Sequence, residues 1–177
     1  MTSGMHTKKL IMTALMAAII FVITYLIRIP MPIASGGYIN IGDAAVYIAA
    51  ALLGGPAGMI AAAVGSSLAD LASGFVHYML PTAVVKGLMG FVCGKLMAKE
   101  TFSRFLIAAI IGGAIMVGGY AAFDVALMSI GQPAANFSLA IAAIPFNLIQ
   151  WVAGVAVAAA VYPVIPRIKR QDKRGRF

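Results

Sequence analysis

Long uncharged runs broken by short polar joints make up most of this chain, and that pattern leaves few folds open to it. Leu10 to Leu26 carries no charge, residues 105–128 carry a single carboxylate, and residues 139–165 carry none. In lipid every backbone donor and acceptor must be satisfied within the protein, so apolar runs of this length become helices. Hydrophobic residues make up 62% of the chain and charged residues 10%, against about 25% charged in a soluble domain. Spans of about 20 residues with short joints give roughly six crossings in 177 residues and leave no room for a soluble catalytic domain. The expected fold is an all-α membrane protein, with six transmembrane helices in one compact bundle and a single domain over residues 1–177.

The charges set the expected orientation. The formal net charge is +8, and the basic residues cluster in an N-terminal arm (1–9, with Lys8 and Lys9), at Lys95, Lys99 and Arg104, and in a tail over residues 166–177. These clusters flank apolar spans, as the positive-inside rule requires of cytoplasmic ends. They read as topology signals rather than as a nucleic-acid surface, so no nucleic-acid partner is expected. Six spans with both termini in the cytoplasm leave only Arg28 and Lys86 away from that face. The first apolar run is too long for a signal-peptide core and reads as a retained span.

In chain order, Pro30 and Pro32 end the first span near Arg28. Ala14 and Ala18 lie one turn apart on it, a spacing that lets another helix approach closely. Residues 31–40 form an outer loop, loosened at Ser35-Gly36-Gly37. Residues 41–53 make a second span of only about 20 Å. Gly54-Gly55-Pro56 turns into a third, small-residue span over 57–72, and residues 73–78 form the next outer loop. Pro81 opens a fourth span to about Met97, the fifth runs from about Phe105 to Met128, and residues 131–138 make the last outer loop. The sixth covers 139–165, and a basic tail follows.

With that topology, the polar residues inside the spans collect at one depth. Asp43, Asp70, Lys86, Asp124, Asn147, Gln150 and Trp151 all fall in the outer half of the bilayer, from five different helices. A pore would place polar residues at every depth, and a proton relay would string them across the membrane. A one-sided cluster suits a pocket open to the outside. Tyr38, Asn40, His77, Tyr78 and Tyr120 join it at the same level, offering ring faces and directed hydrogen bonds for a small planar heterocycle. The alternative is a structural or assembly subunit whose buried ion pairs only fix helix packing.

Catalytic signatures are lacking. His6 and His77 sit apart, Cys93 is the only cysteine, and the chain has no phosphate-binding Gly-x-x-x-x-Gly-Lys-Ser/Thr, so no metal, no cofactor and no enzymatic activity are expected. Any energised transport step needs partner subunits.

The run Gly37-Tyr38-Ile39-Asn40-Ile41-Gly42-Asp43-Ala44, the Gly54-Gly55-Pro56-Ala57-Gly58 joint, Gly65-Ser66-Ser67-Leu68-Ala69-Asp70-Leu71 and Lys86-Gly87-Leu88 resemble the substrate-binding (S) components of energy-coupling factor (ECF) vitamin transporters, in the riboflavin-type branch. That branch covers riboflavin, pyridoxine-like compounds and hydroxymethylpyrimidine. The resemblance implies a six-helix bundle in a bacterial plasma membrane that captures a vitamin or precursor from outside, with the first loop as a gate. It also implies that Ala14 and Ala18 dock on a transmembrane coupling subunit, and that two ATPase subunits drive the cycle by toppling the bundle.

Overall fold

The computed structural model describes residues 2–32, 37–129 and 137–173. Helix α1 (Thr2–Leu26) leads into a hairpin of β1 (Arg28–Pro30) and β2 (Tyr38–Asn40). There follow α2 (Gly42–Leu53), α3 (Gly55–Ala72), α4 (Val76–Leu96), α5 (Phe102–Ser129) and α6 (Phe137–Val161). A 3₁₀ turn (Tyr162–Val164) and α7 (Ile165–Lys173) close the chain. The chain is all-helical apart from the hairpin. Four helical stretches, 6–26, 76–96, 102–126 and 140–171, are long and apolar enough to cross a membrane.

The shortest of the first six helices holds the centre. Helix α2 has 12 residues, nine of them buried, and packs against α1, α3, α4 and α6. Its alanines let four neighbours approach, and Val46 and Tyr47 fill the space between them. The Tyr47 hydroxyl, deep in this core, donates to the Ala109 carbonyl at 3.0 Å, so the burial leaves no stranded hydroxyl. At the other end of the core Phe105 and Tyr162 pack with ring centroids 4.7 Å apart.

Backbone contact fixes the crossing of α3 and α4. A Cβ at Gly90 would stand 2.6 Å from the Gly58 carbonyl oxygen, and one at Gly94 would stand 2.5 Å from the Gly54 carbonyl carbon. Without a hydrophobic drive between helices in lipid, such small-residue contact is what holds the pair. Helix α1 meets α3 in the same way at Gly65, where a Cβ would lie 2.5 Å from the Ala17 carbonyl oxygen. Gly54 sits at a φ of +79°, which lets the chain reverse between α2 and α3 without strain.

Several boundaries differ from the sequence expectation. The loop over 31–40 begins and ends as an antiparallel ladder, Arg28 opposite Asn40 and Pro30 opposite Tyr38, extended by Met31 N–H donating to the Gly37 carbonyl at 3.0 Å. Helix α4 starts at Val76 and takes Pro81 inside it, so residues 76–78 are helix rather than loop. At the sixth position the proline forfeits one hydrogen bond in the opening turns. The sixth span stops at Val161, and the first part of the expected tail is the separate helix α7, whose Lys169 pairs with Glu100 at 3.2 Å. Ser35 and Gly36 of the expected gate, the joint at 131–136 and the tail from 174 lie outside the described residues.

Candidate binding site

A cavity of about 60 Å³ lies between the hairpin and helices α3 to α6. Its wall includes Tyr38 and Asn40 from β2, Asp70 from α3, Tyr78 and Thr82 from α4, Tyr120 and Asp124 from α5, and Asn147 and Gln150 from α6. Eight residues singled out from the sequence thus meet there, namely Tyr38, Asn40, Asp70, Tyr78, Tyr120, Asp124, Asn147 and Gln150.

Each carboxylate of the wall is held by a phenol. The Tyr38 hydroxyl donates to Asp70 Oδ1 at 2.6 Å, and the Tyr78 hydroxyl to Asp124 Oδ1 at 2.9 Å. Burial, reinforced by the adjacent Asp70 carboxylate, holds the Tyr38 hydroxyl well above its ordinary pKa, so it remains a donor. Tyr120 and Thr82 share a hydroxyl–hydroxyl bond of 3.0 Å. Phe75, at the mouth of α4, packs on Tyr38 with ring centroids 5.2 Å apart. Asn147 is 8% exposed and lines the cavity, and its amide has no hydrogen-bond partner among the described residues.

Asp43 and Lys86 lie outside this wall, buried side by side. Lys86 Nζ donates to Asp43 Oδ1, and Gln150 Nε2 donates to Asp43 Oδ2 at 2.9 Å. Asp43 also sits in the first turn of α2, where the helix dipole favours an anion. Gln150 then joins this floor to the hairpin, because its Oε1 accepts from the Asn40 backbone N–H at 2.9 Å and from Asn40 Nδ2 at 3.2 Å. Asn40 Oδ1 accepts in turn from Gly42 N–H at 2.8 Å. Lys86 therefore pairs with Asp43, and its ammonium also stands 5.5 Å from the Tyr120 ring centre.

Two of the remaining sequence candidates are placed elsewhere. His77 is exposed, with its ring 4.6 Å from that of Tyr78. Trp151 wedges the seam of α5 and α6, donating to the Ala109 carbonyl at 2.9 Å against Gly113, where a Cβ would collide with the indole. Ala14 and Ala18 are exposed on α1, with Leu15, Ile19 and Val22 exposed beside them. Thr82 and Phe75 were missed. Thr82 falls four residues after Tyr78 and four before Lys86, a helical stripe that is visible only if α4 begins before Pro81. Among the described residues no cluster of His, Cys, Asp and Glu could hold a metal ion.

The arrangement offers ring faces, carboxylates and amides, groups that can bind a small polar ring. Comparison with known proteins agrees with a transport role. The chain is 28% identical over 162 residues to the thiamine precursor transporter HmpT of Lactococcus lactis subsp. cremoris, covering 92% of this chain and 90% of that one. It is 35% identical over 142 residues to an uncharacterized protein in the gap 3′ region of Pyrococcus woesei, covering 79% and 89%. The fold matches a solved structure described as "Structure and mechanism of the S component of a bacterial ECF transporter", with a TM-score of 0.62 at 21% identity over 94% of this chain and 97% of that one. The family model for the ECF-type riboflavin transporter S component matches residues 4–167, and to that family this multi-pass membrane protein belongs.

Proposed function

We propose that this chain is the capture subunit of an ECF importer, a single six-span domain with both termini in the cytoplasm of a bacterial cell. It takes up a B-type vitamin or precursor (a pyridoxine-like compound, a hydroxymethylpyrimidine or riboflavin) from outside and does no chemistry on it. The observation that carries this reading is the polar cavity walled by Tyr38, Asp70, Tyr78, Asp124 and Asn147 and latched to the hairpin through Gln150. The relative named for thiamine-precursor transport supports the ligand class.

The exposed strip at Ala14 and Ala18 is the docking face for a transmembrane coupling subunit, which two ATPase subunits drive. Purified protein is expected to retain one of these vitamins in equilibrium dialysis without ATP, in the nanomolar range. Retention of none of them overturns the reading. Ala14→Trp with Ala18→Trp is expected to abolish uptake in cells while leaving that binding unchanged.

A further inference from the structure

Charge is distributed unevenly around the cavity. Asp70 and Asp124 stand in its wall, and no lysine, arginine or histidine does. The nearest buried cation, Lys86, is committed to Asp43. Arg28 lies outside the wall between two rings, its guanidinium carbon 4.6 Å from the centre of Tyr25 and 5.8 Å from that of Tyr38, and His77 is exposed outside against Tyr78. Each wall carboxylate gives one oxygen to a tyrosine. Among the described residues, the other oxygen of Asp124 accepts from no donor.

The unpartnered amide of Asn147, more than nine-tenths buried in the same wall, can both donate and accept. An acceptor-rich lining of this kind is satisfied by hydrogen-bond donors. It penalises a phosphate or carboxylate, whose charge would be desolvated beside two anions. The cavity is small, about 60 Å³, and every vitamin must widen it; a single ring with short substituents asks for the least widening, a tricyclic one for the most.

Resting on the capture reading, we infer that the ligand is a single-ring heterocycle, neutral or cationic, that presents amine or hydroxyl donors to Asp70 and Asp124 and an amide-matching edge to Asn147. Phosphorylated and carboxylated forms of the same ring are excluded. The site therefore takes up the free vitamin or precursor, and the class of reaction that uses it next inside the cell is phosphorylation or condensation of that free alcohol or amine.

The test is calorimetric titration of the purified full chain with matched pairs. Pyridoxamine is set against pyridoxamine phosphate, an aminopyrimidine alcohol against its phosphate ester, and nicotinamide against nicotinate, with riboflavin alone. One uncharged or cationic member is expected to bind, and its anionic counterpart to bind at least about a hundredfold more weakly, the scale of a like-charge clash in a desolvated site. Asp124→Asn is expected to weaken the donor ligand by about tenfold or more and to narrow its lead over the anionic partner. Because the wild-type pairs alone decide the sign, the result does not hang on that variant folding. Tight binding of riboflavin or of any anionic member overturns this inference and leaves the capture reading standing. Binding of none of the compounds overturns both.

Discussion

Lys86 is ion-paired with Asp43, and both side chains are almost wholly removed from solvent. Buried pairs of this kind contribute little net stability, yet removing one partner strands the other at a cost of about 3–5 kcal/mol. Lys86→Met is therefore expected to lower the melting temperature in detergent sharply. Adding Asp43→Asn to it should restore most of the loss, because the stranded carboxylate is then gone and Gln150 keeps a partner. Equal melting of the single and double variants would show that the pair is not what holds α2 to α4. The sequence alone could not choose Lys86's partner among Asp43, Asp70 and Asp124, since all three lie at similar depth. The geometry that decides, α2 against α4, is a tertiary fact that no local pattern carries.

At the scale of elements, α3 and α4 touch backbone to backbone at Gly58 and Gly90. Gly90→Leu is expected to force the helices apart and to cost about 1–3 kcal/mol or more, read as a fall in melting temperature. Gly118→Ala, where a Cβ meets nothing within 4 Å, should melt as the parent does. The helices were legible because apolar runs of this length allow little else, and α2 was recognisable as short. The hairpin was not legible, for strands of three residues show no alternation and Pro30 reads as a break. Taking Pro81 as a helix start hid the stripe Tyr78–Thr82–Lys86, and with it Thr82's place in the wall. Trp151 stands outside the cavity for a different reason. Its depth was compatible with the cavity, but Gly113 on α5 opens a slot that draws the indole sideways into the helix seam.

For the whole molecule, the proposed orientation puts the basic residues at Lys95, Lys99 and Arg104 on the cytoplasmic face, by the positive-inside rule. Cys93 is buried and should stay silent toward a membrane-impermeant thiol reagent, so single cysteines report orientation cleanly. His77→Cys is expected to label on intact cells and Lys99→Cys only after permeabilisation. The reverse pattern would invert the topology and remove the outward-facing site.

The bundle's two ends are built differently. At one end glycine backbones are in contact and the rings of Phe105 and Tyr162 are packed together, while at the other a two-stranded flap is tied down by the Gln150 amide and the Tyr38–Asp70 hydrogen bond. Such an object is a cup with a hinged rim and a welded base, not a tunnel. Among the described residues the base is packed shut, so on the proposed reading cargo that enters over the rim reaches the far side by a turn of the cup itself.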